Sequence, residues 1–261
     1  MSEKNGKTSE LFRHISEYIG SEWSSEGYEF GGTLPDALNA LFENKPGLYV
    51  IGARPANGKT TLMIQKALAL GKDENVYIYE ADTVWEKIRD RMATALFGNI
   101  SERDLYVRRK YVNAYLKSKP IYLCTEQACV EEICEELKDK KGYVFIDYLQ
   151  LLGTKQSSES RCEERKIILG KLRELAADRP VFVFSQVNRS AAKNLGWCPA
   201  PDSIRFFSDI CKYADSVTTF VTMSDEDGIT IADFSVYTGN CKQPLICVTS
   251  VIDDETGLFI G

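Results

Sequence analysis

The stretch "GLYVIGARPANGKTTL", residues 47–62, decides how the rest of the chain is read. It joins an apolar run to a segment that cannot continue a strand. Pro55 has no amide hydrogen, and Gly58 tolerates backbone angles that most residues avoid. The stretch therefore predicts a strand over 48–53, a tight loop, and a helix from Lys59 to about Leu70. Ala53 to Thr60 also has the spacing of a phosphate-binding loop: a small residue, four residues, then Gly-Lys-Ser/Thr. The residues expected around bound phosphates are Ala53, Arg54, Pro55, Ala56, Asn57, Gly58, Lys59, Thr60 and Thr61. Amides of the loop and helix start would form an anion nest. Lys59 would bring positive charge to the β and γ phosphates, and the Thr60 hydroxyl would reach magnesium. A lysine at a helix N-terminus opposes the helix dipole, and an anion would explain it.

On either side of this stretch, strand and helix patterns alternate. "NVYIYE" (75–80) reads as a second strand, followed by a helix opened by Asp82 and Thr83, with Glu86 completing a capping box. A basic helical stretch covers about 102–117. "PIYLCT" (120–125), "YVFIDYLQLL" (143–152) and "PVFVFSQ" (180–186) are further apolar strands, separated by helical segments near 126–140 and 160–178. From about 215 the chain changes character: "DSVTTFVT", "ITIADFSVYTG" and "PLICVTSVI" read as consecutive strands joined by turns. Such alternation implies an α/β fold, a mostly parallel sheet with helices on both faces, extended antiparallel by the last strands. Near the start, Leu11, Ile15, Tyr18 and Ile19 recur at helical spacing within residues 9–23, which predicts a short amphipathic helix. The Gly- and Ser-rich "SSEGYEFGGTLPDAL" then reads as a linker. The expected division is 1–29, helix and linker, and 30–261, one α/β domain.

The chain has 261 residues, 44% hydrophobic and 27% charged, the composition of an ordinary globular protein. No apolar run approaches the roughly 18 residues needed to cross a bilayer, and "MSEKNGKTSE" carries no signal-peptide pattern. A cytoplasmic protein with no membrane partner is the expectation. A net charge of −6 excludes a surface that is basic all over, but a few basic loops can still line a channel in an acidic body. The eight cysteines include no C-x-x-C pair. Cys124, Cys129 and Cys134 are spaced to scatter around a helix, so reduced thiols are expected rather than a zinc site or disulfide set. The single histidine, His14, lies in the amphipathic stretch and suggests no catalytic role.

Three further residues stand at strand ends, where open α/β sheets bind ligands. Asp147 closes "YVFID", where a carboxylate could reach magnesium through water. Glu80 closes "NVYIYE" and could polarise an attacking water as general base. It reads equally well as a solvent-facing residue ahead of a helix cap. Gln186 closes "VFVFSQ" and could sense a γ phosphate, or be an ordinary polar residue at a strand end.

Taken together, "ARPANGKTT", "YIYEAD" with "IRDRMATALFG", "VFIDYLQLL" and "FSQVNRSAA" resemble the RecA-like motor domain of DnaB-type replicative helicases. The similarity runs from about residue 30 to the C-terminus. It implies that Glu80 is the catalytic glutamate and Gln186 the γ-phosphate sensor, with ATP and Mg2+ as ligands. It further implies a hexameric ring that hydrolyses nucleotide between subunits and draws single-stranded DNA through its centre, with a helicase loader as a compatible partner. The family's DNA loops correspond to about 153–165, with Lys155 and Arg161, and about 189–206, with Arg189, Lys193 and Arg205. Each loop also reads as a solvated surface turn. In "RFFS" the family pattern Arg-Glu-Ser-Gly keeps Arg205 but loses the acid and the glycine. The family's collar domain, which meets primase, has no counterpart before the phosphate loop, which argues against primase binding. The amphipathic helix at 9–19 matches either the linker helix that docks on a neighbouring subunit or a helix packed on its own domain. In "TGNCKQP", Lys242 is the cation in position to reach a neighbour's γ phosphate, or a solvated lysine on a turn. Two rival readings remain at this level: a RecA-fold ATPase of recombination or plasmid maintenance that does not unwind, and a nucleotide-gated assembly protein.

Overall fold

In a computed structural model of the chain, the residues described are 11–18, 35–39, 41–98, 102–188, 198–205, 209–224, 228–238 and 243–260, with backbone only at 37 and 102–108. The order is β1 (Arg13–His14), α1 (Asp36–Asn39), β2 (Gly47–Ala53), α2 (Lys59–Leu70), β3 (Val76–Glu80), α3 (Trp85–Phe97), α4 (Glu102–Lys117) and β4 (Ile121–Cys124). Then come α5 (Val130–Leu137), β5 (Tyr143–Asp147), α6 (Arg161–Leu175), β6 (Pro180–Gln186), β7 (Ser216–Ser224), β8 (Thr230–Thr238) and β9 (Ile246–Ile252).

These nine strands form one sheet in the order β1-β4-β3-β5-β6-β2-β7-β8-β9. Neighbours from β4 through β7 pair in parallel, while β1, β8 and β9 run antiparallel to their neighbours. The central strands are continuous apolar runs because both faces are covered. Their side chains still alternate. Phe145, Phe182 and Phe184 pack with Met63, Ile64, Ile88 and Met92 of α2 and α3. Val144, Ile146, Val181 and Val183 pack with Ile133, Leu137, Ile168 and Leu172 of α5 and α6. Each fully buried side chain of this kind contributes about 1.5–3 kcal/mol.

The N-terminal segment departs from the helix its spacing predicts. Among the described residues, Arg13 and His14 pair with Leu123 and Tyr122 at the open edge of β4, and Ile15–Tyr18 make a single 3-10 turn. Phe12 and Ile15 are buried against the sheet of their own domain. An unpaired strand edge supplies hydrogen bonds that an isolated short helix would have to make alone. Two helix starts also differ. The expected capping box of Asp82, Thr83 and Glu86 does not form: α3 begins at Trp85, with Val84 in the capping position and no side-chain cap. The Asp82 amide instead donates to Glu80 Oε1 (3.1 Å), so the turn closes on the strand end. By contrast, α5 carries a capping box that the sequence did not suggest, between Cys129 and Glu132. Six cysteines (124, 129, 134, 162, 198 and 247) are free thiols, but Cys211 is disulfide-bonded, against the expectation of reduced thiols throughout. Among the described residues, no helix is long and apolar enough to cross a membrane, and no cluster of His, Cys, Asp and Glu could hold a metal ion.

Candidate functional site

The C-terminal ends of β2, β3, β5 and β6 lie side by side, and the sequence-predicted residues of the phosphate loop, Glu80, Asp147 and Gln186 stand on them. Between β2 and α2 the loop turns through left-handed backbone at Ala56 (φ 64°) and Gly58 (φ 84°). Gly58 is held close from below: a Cβ there would come within 3.1 Å of the Phe259 ring. The amide and carbonyl of Phe259 both bond the Gln65 carboxamide of α2, at 3.1 Å each, which fixes the aromatic floor of the loop. Asn57 is buried, with its amide oriented to accept from the amide and hydroxyl of Thr222, at 2.8 Å each. The first amides of α2 have no side-chain cap, the arrangement that anions seek.

Lys59 is 8% exposed, and its Nζ donates to the carbonyls of Ala53 (3.3 Å) and Arg54 (2.8 Å). Burial lowers its pKa, and the nearby Asp147 partly offsets this. A buried ammonium held mainly by neutral carbonyls lacks a full countercharge, which a phosphate would supply. Across the loop, Glu80 and Asp147 are direct register partners on β3 and β5 and are 2% and 3% exposed. Burial, then the charge of Asp147, pushes Glu80 up to about 8. Asp147 is raised as well, chiefly by burial, while the Thr60 hydroxyl, which donates to Asp147 Oδ2 at 2.5 Å, favours its charged form. Two buried carboxyls side by side resist ionising together, which favours a protonated form on the pair. Thr60 and Asp147 form a set of hard oxygen donors beside the anion nest, which fits a magnesium ion.

Gln186 ends β6 in register with Ala53, and its carboxamide makes no hydrogen bond among the described residues. Its backbone is held by a residue that sequence reasoning passed over. Gln150, in the 3-10 turn after β5, accepts from the Gln186 amide (3.2 Å) and donates to its carbonyl (3.2 Å). Nothing in local sequence marks Gln150 beyond its place in the Asp-Tyr-Leu-Gln string.

The basic residues expected to meet DNA divide. Lys155, Arg161 and Arg205 are exposed. Lys155 is ion-paired with Glu132 (2.7 Å), and its amide donates to Glu131 Oε2 (3.0 Å), so this part of the first loop is tied to the start of α5. Arg161 opens α6. The Arg205 amide bonds the Gln186 carbonyl (2.7 Å), which brings the second loop's end to the nucleotide side. Arg189, Lys193 and Lys242 lie outside the described residues.

A strand–loop–helix with a buried lysine, paired acidic strand ends and a parallel sheet extended antiparallel defines a RecA-like P-loop NTPase domain. One solved ATPase domain shares this fold, with a TM-score of 0.72 at 18% identity over 94% of both chains. The RadB recombinase structure matches with a TM-score of 0.52 at 14% identity over 85% of this chain and 95% of that one. Residues 36–228 match the DnaB-like helicase C terminal domain, and the chain belongs to that nucleotide-binding family. A replicative DNA helicase DnaB of Helicobacter pylori is 30% identical over 217 residues, 71% of this chain and 44% of that protein. A probable plasmid replicative DNA helicase of Chlamydia psittaci is 28% identical over 242 residues, 83% of this chain and 52% of that protein. The chain thus spans about half the length of these relatives.

Proposed function

We propose that the chain is the ATP-hydrolysing motor of a DnaB-type replicative helicase, acting in the cytoplasm as a hexameric ring on single-stranded DNA. The observation that carries this reading is the buried Glu80–Asp147 pair facing Lys59 and Thr60 at one edge of the sheet. In this reading the loop from Ala53 to Thr61 holds the phosphates, Lys59 neutralises the β and γ oxygens, and Thr60 and Asp147 hold magnesium. When bound, magnesium neutralises charge on the phosphates.

Glu80 is the general base. Burial together with Asp147 raises its pKa above the usual carboxylate range, which makes the ionised carboxylate a stronger base toward water. Its Oε1 bond to the Asp82 amide orients the group without protonating it. Gln186 meets the γ phosphate through its carboxamide. Lys242 acts across the subunit boundary, supplying positive charge to a neighbour's transition state. Arg161, Arg189, Lys193 and Arg205 meet DNA phosphates, and Lys155 joins them once it leaves Glu132. A helicase loader is a compatible partner.

The test measures ATP hydrolysis with and without single strands, together with strand displacement on a forked duplex. The motor reading requires hydrolysis that rises many-fold with single strands, and displacement that Glu80→Gln abolishes. Hydrolysis without displacement would leave a RecA-fold ATPase that does not unwind.

A further inference from the structure

The Gln150 carboxamide sits where three segments leave the sheet together. Its Nε2 lies within hydrogen-bonding distance of Ser185 Oγ (2.8 Å), the Gln186 carbonyl (3.2 Å) and the Arg205 carbonyl (2.9 Å). Its Oε1 accepts from the Gln186 amide (3.2 Å). The end of β6 and the segment 203–205 are also pinned to each other: the Asn188 amide donates to the Ser203 carbonyl and the Arg205 amide to the Gln186 carbonyl, both at 2.7 Å. One step further, the Val187 amide bonds the Ala53 carbonyl (3.2 Å) at the mouth of the phosphate loop. A continuous chain of hydrogen bonds therefore runs from the Arg205 backbone through one side chain to Gln186 and on to Ala53.

A primary amide suits this place. The Gln186 amide finds its acceptor in Oε1, while Nε2 offers its two hydrogens among the Arg205 carbonyl, the Gln186 carbonyl and the fully buried Ser185 hydroxyl, so one planar group both accepts and donates. A carboxylate supplies the acceptor alone, and an aliphatic side chain supplies neither. The group touches no expected phosphate, magnesium or DNA residue through a reacting atom. It holds the backbone of two that do.

We propose that Gln150 is a positioning residue that couples occupancy of the Arg205 loop by single-stranded DNA to the placement of Gln186 at the nucleotide. This rests on the reading of the chain as a single-strand-driven ATPase. A DNA phosphate that draws on Arg205 moves a carbonyl bonded to Gln150, and the same carboxamide brackets the Gln186 peptide on both sides. Linkage then requires the reverse: nucleotide contact at Gln186 biases the Arg205 segment toward one position.

The experiment compares the full chain with Gln150→Ala and Gln150→Glu. ATP turnover is read with and without a saturating oligonucleotide, and DNA affinity is read by anisotropy. The expected result is a fall of about tenfold or more in the stimulation ratio, within the usual range of coupling between sites. Basal turnover falls by less than the stimulated rate, and Gln150→Glu lowers the ratio as well, because its carboxylate keeps an acceptor for the Gln186 amide but offers no donor to the Arg205 carbonyl. Equal losses of basal and stimulated turnover would show a purely structural residue and overturn the proposal, as would an unchanged ratio. If Gln150→Ala does not fold, the ratio for Gln150→Glu decides alone: a parental ratio overturns the coupling and a reduced one supports it. A parent protein with no response to single strands would instead overturn the motor reading, and the coupling with it.

Discussion

Replacing Glu80 with glutamine should change how stability depends on pH as well as slow turnover. In the nucleotide-free protein the Glu80 carboxyl is pushed from 4.5 to about 8 by burial and by Asp147. Between those two values the native state keeps a proton that the unfolded chain has released. The associated stability is fully present below about 4.5 and is lost as pH rises through about 8. One such proton gives a slope of about −1.4 kcal/mol per pH unit, so raising pH from 5 to 7.5 removes about 3 kcal/mol. For a domain of this size that lowers Tm by about 6–12 °C. Asp147, itself raised, acts in the same sense. Lys59, lowered by burial, acts in the opposite sense and is common to both proteins. Glutamine has the shape of the protonated acid and no proton to lose at these pH values, so the variant should lose the share of the slope that belongs to Glu80, keep the share of the still-buried Asp147, and be the more stable protein at pH 7.5. Thermal unfolding without nucleotide or magnesium, at several pH values, measures both slopes. Parallel slopes for the two proteins would mean that the pair holds no buried proton, and the account of Glu80 as a base tuned by Asp147 would fail with it. In the same variant, nucleotide binding should persist while hydrolysis falls by about 10²–10⁴-fold, the usual contribution of a general base.

Lys59→Ala should lose nucleotide binding, read as loss of the rise in Tm that ATP-magnesium gives the parent. Lys242→Ala should bind nucleotide normally and hydrolyse it poorly. Mixing these two variants should restore some turnover if subunits share sites; mixed oligomers, shown to have formed, that stay inactive would count against sharing. Affinity for single strands should fall with salt by about 0.7 in log–log slope per phosphate neutralised. Neutralising Arg189 and Arg205 together should flatten that slope, and an unchanged slope would make these loops ordinary surface. Phe259→Ala, which empties a fully buried ring position beside Gly58, Phe220 and Phe234, should cost about 3–5 kcal/mol in chemical denaturation. A cost under about 1 kcal/mol would show that the tail does not support the phosphate loop.

Much of the site was legible because its signals are local. Pro55 and Gly58 end a strand by backbone sterics whatever surrounds them, and β2 and α2 fall where 47–70 predicts. The end of each apolar run marks where Glu80, Asp147 and Gln186 leave the sheet, so their common edge follows from the parallel order alone. Which ends become neighbours does not. Glu80 and Asp147 stand side by side because β5 as well as β4 borders β3, and strand order is set by packing over the whole sheet. The spacing of Leu11, Ile15 and Tyr18 suits a helix, yet the free edge of β4 claims Arg13 and His14 for a strand, a competition decided by a partner distant in sequence. Likewise, composition shows Lys155 as one more exposed cation, whereas its pairing with Glu132 depends on where α5 meets the turn after β5. Gln150 is the fullest case. One carboxamide gains its meaning from Ser185, Gln186 and Arg205, which only the tertiary fold brings to it, because a hydrogen bond requires its partners within about 3.2 Å.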